Sequence, residues 1–146
     1  MEPEAVVLDT DTLSELSRDN PVVREHALRY LADFGRLTIT AITVFERLRG
    51  YRLAIREGKP FERQLQAFEA LAANCIVLPF DQEAAKVAAE IWSGTTRSQR
   101  QHVGDILIAA VAISRQIPLV TRNRRDFEPL TKASGVALRL FDWSRA

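Results

Sequence analysis

The feature that most constrains this chain is a short apolar run, Ala5-Val6-Val7-Leu8, that ends in Asp9-Thr10-Asp11. A run with no polar position reads as a strand covered on both faces, since a half-exposed strand alternates apolar and polar residues. The chain that follows supplies helices to do the covering. Asn20-Pro21 reads as a helix start, a capping side chain followed by proline at the first helical position. Val23, Ala27, Tyr30, Leu31 and Phe34 then recur at helical spacing until Gly35. Leu37-Thr38-Ile39 reads as a second strand, and a helix is expected from about Thr43 to Glu57, stopped by Gly58. Pro60 opens an amphipathic helix carrying Phe61, Leu65, Phe68 and Leu71. Cys75 to Leu78 is a third strand, and Asp81 caps a helix reaching about Trp92. Gly94 to Gln101 reads as a polar loop, and Asp105 heads a strongly apolar helix, Ile106 to Ile113. Leu119-Val120-Thr121 and Ala137 to Phe141 complete the strands. Short apolar strands alternating with helices predict an α/β fold around a mainly parallel sheet.

With 146 residues and no repeat or linker, the expectation is a single domain over 1–146. The one cysteine, Cys75, can form no intrachain disulfide and reads as a small buried hydrophobe. No apolar stretch approaches the roughly 20 residues needed to cross a bilayer. The N-terminus, Met1-Glu2-Pro3-Glu4, has the wrong charge for a secretory signal. A cytoplasmic protein without membrane attachment is therefore expected. Net charge is only +1, which does not suit a polycation of the histone kind, yet 17 of the 20 basic residues are arginine. Arginine offers a planar fork for phosphate and a flat face for bases; a high-GC genome produces the same bias.

In parallel α/β sheets, ligands bind beyond the carboxyl ends of the strands. Asp9 stands at such an end, where aspartate also serves as a helix cap, although Asp11 or Thr12 is the better cap for the helix through Leu13 and Leu16. Glu46 lies inside a helix along an apolar face with Ile42 and Leu53. A carboxylate placed there is paired, protonated or bound to a cation, and Arg47 and Arg49 are available partners. Asp105 sits in a first helical turn, favoured there by the helix dipole. Thr121, Asn123 and Asp126 place further oxygens after a later strand, where Asp126 can also act as a cap or turn residue. Such a donor set, without a His or Cys cluster, suits magnesium or manganese. His26 and His102 lack the spacing of zinc ligands.

Four blocks carry a resemblance over nearly the whole chain. They are Val7-Leu8-Asp9-Thr10-Asp11, Ile42-Thr43-Val44-Phe45-Glu46-Arg47-Leu48, Gly104-Asp105-Ile106-Leu107-Ile108-Ala109-Ala110, and Pro118 to Phe127. In this order and spacing the chain resembles PIN-domain ribonucleases, specifically VapC-type toxins of toxin–antitoxin pairs. The resemblance implies a three-layer α/β/α fold with a central, mainly parallel sheet. It implies Mg2+ or Mn2+ dependence and hydrolysis of single-stranded RNA. Asp9, Glu46 and Asp105 match the three acidic metal-site positions. Asp126 falls in the block of the fourth acid, with Asn123 as its rival, and Thr121 matches a polar position beside the site. Asp11 departs from the family, which usually has Asn there; the extra carboxylate can strengthen metal binding or cap the following helix. The family also implies a small antitoxin partner and a homodimer. Phe61, Phe68 and Trp92 are available for such contacts or for core packing. Arg122, Arg124 and Arg125, together with Arg97 and Arg100, are candidates to hold the RNA backbone.

Two other readings compete. Val6 to Leu13 also matches the first motif of haloacid-dehalogenase-type phosphatases, with Asp9 as nucleophile and Asp11 as general acid. The later motifs of that family are missing or out of order here. A non-catalytic PIN-like module that binds RNA or protein is the other alternative; retention of all three core acids speaks against it.

Overall fold

The computed structural model describes residues 2–135 and 137–146, with backbone alone at 133 and 134. Met1, counted above in the acidic N-terminus, lies outside them. Strand β1 (Val7–Leu8) pairs in parallel with β4 (Leu119–Val120), which pairs in parallel with β5 (Leu140–Phe141). Strand β2 (Thr38–Thr40) pairs in parallel with β3 (Ile76–Leu78). The two ladders meet where β1 and β2 lie side by side without a regular hydrogen-bonded register.

Side-chain alternation along the strands divides the interior into two cores. Val7 and Leu119 turn to one face and pack with α5 (Gln82–Ser93), α7 (Val103–Ser114) and α8 (Arg124–Ser134). Leu8 and Val120 turn to the other, against α1 (Thr10–Ser17), α2 (Pro21–Phe34) and α4 (Glu62–Ala73). Helix α3 (Ala41–Arg56) leans on both, with Ile42 against the first core and Val44 and Leu48 against the second. The result is the three-layer α/β/α arrangement expected from the apolar runs. Helix α7 is the central element of its layer: Ile106 and every residue from Ile108 to Ile113 are buried. Among the described residues no helix is long and apolar enough to cross a membrane.

Local chemistry sets the boundaries. Asn20 caps α2 through Val22 and Val23, Pro21 opens it, and Gly35 closes it at φ +79°, its N–H on the Leu31 carbonyl. Asp81 caps α5 as expected. Several expectations are corrected. The cap of α1 is Asp9, not Asp11 or Thr12. Helix α3 starts at Ala41, capped by Thr40, and α4 starts at Glu62. Helix α7 begins two residues before Asp105, at Val103, and β5 is confined to Leu140–Phe141. The segment read as a polar loop contains a single helical turn, α6 (Arg97–Arg100). It is closed by a capping box in which Thr96 and Gln99 satisfy each other's backbone N–H. Of the aromatics considered for partner contacts, Phe68 is buried, Phe61 half-buried and Trp92 exposed.

Candidate active site

Because β1 ends at Leu8 and α1 starts at Thr10, Asp9 is the single residue that turns the chain from sheet to helix. Its extended backbone (φ −76°, ψ 171°) points the carboxylate back over the helix start, where Oδ1 accepts the Thr12 N–H at 2.7 Å. The side chain is only 3% exposed. Burial raises its pKa, while the neighbouring Thr121 and Thr12 hydroxyls and the Thr12 N–H pull the other way. Thr121, fully buried at the end of β4, also accepts the Asn123 N–H at 2.9 Å. The strand-end position expected for Thr121 thus places it against Asp9.

Glu46 reaches the same region from the second turn of α3, its side chain 22% exposed. Thr10 donates to Glu46 Oε1 at 2.8 Å. Of the two arginines expected as partners, Arg49 approaches Oε2 only to 3.9 Å and lies over the Phe45 ring. Arg47 turns away to Ser14 and to the Tyr51 hydroxyl. Oε2 faces Gly104, where a Cβ atom would stand 2.4 Å from it. Any side chain at that position would force the carboxylate to move.

Asp105 follows Gly104 in the first turn of α7. Its pKa is raised from 3.8 to about 6, first by burial and then by the negative charges of Asp126, Glu46 and Asp9; His102 opposes the shift. Those three charges come from α8, α3 and the end of β1, so all of them bear on Asp105 across the crevice. Two clefts meet at Asp105 and His102. One, of about 290 Å³, runs between α3 and α7 past Glu46, Arg49 and Gly104. The other, of about 210 Å³, runs toward Ser98, Arg125 and Asp126. Asp126 is exposed in the first turn of α8. Asn123 caps α8 without a side-chain bond and lines a wider surface recess with Arg124 and Arg125.

Other expected residues have different attachments. Asp11 neither caps α1 nor turns toward the acids: Arg122 Nε donates to its Oδ2 at 2.6 Å, and Arg122 Nη2 lies 3.1 Å from Glu15. Arg124 is held by Glu128 and by the Leu140 carbonyl. Arg100 donates to the Thr95 carbonyl and covers the Trp92 ring. Among the described residues Arg97 and Arg125 have no carboxylate within ion-pair distance. His102 lines both clefts, a placement without a sequence signal. Thr10, whose hydroxyl reaches Glu46, and Thr43, whose hydroxyl reaches Thr10, have no sequence signal of their own.

Among the described residues no three His, Cys, Asp or Glu side chains are arranged to hold a metal ion directly. The donor set nevertheless fits a hard cation, which keeps several waters and is often bound through only one or two carboxylates. An acid with its pKa pushed to about 6 by burial and neighbouring carboxylates gains from a cation placed among them.

A family model described as PIN domain matches residues 6–132. The chain is 33% identical over 141 residues to the tRNA(fMet)-specific endonuclease VapC of Shigella flexneri, covering 94% of this chain and 97% of that one. It is 26% identical to ribonuclease VapC1 of Haemophilus influenzae strain R2866, over 95% of this chain and 98% of the relative. Among solved structures, DNA-bound VapBC from Salmonella typhimurium superposes with a TM-score of 0.73 at 26% identity, covering 97% of this chain and 99% of that one. VapBC-1 from nontypeable Haemophilus influenzae has the same fold, with a TM-score of 0.74 at 24% identity over 97% and 99% of the two chains. The match over the greater part of the chain, reaching from β1 into α8 and including all four acids, shows that this chain belongs to the PIN-domain family.

Proposed function

We infer that this chain is a divalent-metal-dependent endoribonuclease that cleaves single-stranded RNA, the toxin of a toxin–antitoxin pair. The observation that carries this reading is the convergence of carboxylates on Asp105, which feels the charges of Asp126, Glu46 and Asp9 and lines one cleft with Glu46 and another with Asp126. Four separate elements bring these carboxylates to one edge of the parallel sheet, against the energetic preference of like charges to stay apart. The names of its relatives, an endonuclease and a ribonuclease, agree with that chemistry.

Asp9, Glu46 and Asp105 would hold Mg2+ or Mn2+, with Asp126 as the fourth acid. Asp126 is favoured over Asn123 because its charge acts directly on Asp105. A metal ion bound there would lower the pKa of its water, so that the hydroxide needed to attack phosphorus is available near neutral pH, and would offset charge on the phosphate oxygens. Thr121, whose hydroxyl favours the charged form of Asp9, is assigned a supporting role beside it. Asp11 is assigned a supporting role, fastening Arg122 to α1. Arg125, which lines the smaller cleft with Asp105 and Asp126, would meet a backbone phosphate there, and Arg97 on α6 is proposed as a further contact.

The relatives of known structure include VapBC assemblies, so the partner proposed for this chain is a small cognate antitoxin that covers the acidic crevice. A homodimer within one intracellular, cytoplasmic complex completes the reading. The test is cleavage of an unstructured RNA with Mg2+ or Mn2+, beside Asp9→Asn and Asp105→Asn. Each variant should lose at least about a hundredfold in rate while remaining folded. Full metal-dependent cleavage by either would sink the assignment.

A further inference from the structure

Glu46 is the one acid of the crevice that sits on a long, rotatable side chain in mid-helix, so its placement needs an explanation of its own. The Thr43 and Thr10 hydroxyls lie 3.0 Å apart, and Thr10 Oγ1 lies 2.8 Å from Glu46 Oε1. A hydroxyl has one proton, and a carboxylate can only accept. Thr10 therefore gives its proton to Glu46 and must accept from Thr43. Thr43 in turn lies 3.5 Å from Thr40 Oγ1, which caps α3 by accepting the Thr43 N–H at 3.2 Å. Thr40 and Thr43 are fully buried, so the direction of the chain is set away from solvent. Such aligned hydroxyls polarise one another and strengthen the last bond.

On the opposite side, the missing side chain of Gly104 leaves room for Oε2 in the cleft that Asp105 also lines, with Arg49 Nη2 at 3.9 Å. We propose that Thr10 is a positioning residue, the last donor of a Thr40–Thr43–Thr10 relay that locks one oxygen of Glu46 and leaves the other beside Gly104, in the cleft that Asp105 also lines. The relay links three elements, since Thr10 heads α1 while Thr40 ends β2 and Thr43 lies in the first turn of α3. It thereby ties the Glu46 carboxylate to the same helix start that fixes Asp9. The inference rests on the metal-binding reading of the acids.

The test is Mn2+ affinity of the purified chain, read from the electron paramagnetic resonance of free Mn2+, together with melting temperature and the kcat and KM for RNA. Thr10→Val, which keeps shape and removes the donor, should weaken Mn2+ binding about ten- to a hundredfold, the usual effect of losing an outer-shell partner. KM for RNA should hold, and kcat should recover as metal is raised. Thr10→Ser, which restores the hydroxyl, should regain most of the affinity; a purely packing role would leave serine as defective as valine. Wild-type Mn2+ affinity in Thr10→Val, or no rescue by serine, overturns the relay. If Thr10→Val fails to fold, Thr43→Val carries the test: it removes the donor to Thr10 and should also weaken Mn2+ binding, and wild-type affinity there overturns the proposal. Failure of the underlying reading looks different, because wild-type protein would then bind no Mn2+ or bind it no better than Asp105→Asn.

Discussion

Asp105 has a pH dependence whose sign follows from its surroundings. Burial and three neighbouring carboxylates raise its pKa from 3.8 to about 6, so the folded state favours the protonated form. The resulting stability is fully present below about pH 4 and is lost as pH rises through about 6. Without divalent ions, Asp105→Asn should therefore raise the melting temperature at pH 8 and change it little at pH 4. The gain is on the order of 1–2 kcal/mol once screening of a partly exposed group is allowed for. Melts in a chelating buffer at both pH values check this, and equal shifts at both would show that charge is not the cause. Metal affinity in the wild-type chain should fall below about pH 6, because protons compete for the same oxygen. Asp11 provides a contrast. Its carboxylate is committed to Arg122 at 2.6 Å, so Asp11→Asn, which installs the side chain usual in the family, should leave Mn2+ affinity little changed. A large loss on titration would place Asp11 among the ligands.

At the scale of elements, α7 joins the site to the core. Its first turn presents Asp105, and the rest of the helix is apolar on nearly every side, with Ile108 1% exposed. Ile108→Ala should cost about 2–5 kcal/mol of stability, measured by denaturant unfolding, while metal affinity of the folded protein stays near wild type. A selective loss of metal binding without loss of stability would contradict that division of labour. The same helix shows why some features were legible and others were not. An uninterrupted apolar segment admits only a central position, so α7 and the two-sided burial of β1 could be read from residue types alone. The start of α7 at Val103 could not, because His102 provides no side-chain cap to mark it. Asp9, Thr10, Asp11 and Thr12 offer four successive capping side chains, and only the length of β1 decides that Asp9 turns in. Glu46 was legible as an unusual carboxylate in line with apolar residues. That face is not covered as expected, since Leu53 is 61% exposed, and the partner of Glu46 was not legible. Thr10 is 36 positions away in the chain and reaches it through the packing of α1 on α3.

The whole molecule carries almost no net charge, +1, so attraction of RNA must come from where the arginines stand and which of them are free. Acidic side chains crowd the crevice and would repel a polyanion until a cation enters. Of the five arginines expected to hold RNA, Arg122 and Arg124 are ion-paired and Arg100 is anchored to the α5–α6 connection. Arg125 differs: it lines the cleft with Asp105 and Asp126 and, among the described residues, has no acidic partner. Each phosphate contact to single-stranded RNA contributes about 0.7 to the slope of log affinity against log salt. Arg125→Ala should therefore weaken binding of a short unstructured RNA and lower that slope by about 0.7, measured by fluorescence anisotropy with Ca2+ in place of Mg2+. Arg122→Ala should instead lower stability through loss of the Asp11 and Glu15 contacts, with a smaller change in slope. An unchanged slope in Arg125→Ala together with a reduced one in Arg122→Ala would reverse the assignment. Such a reversal would mean that RNA displaces Asp11 and recruits Arg122, so the substrate would follow the β4–α8 edge of the sheet and not the cleft leading to Asp126.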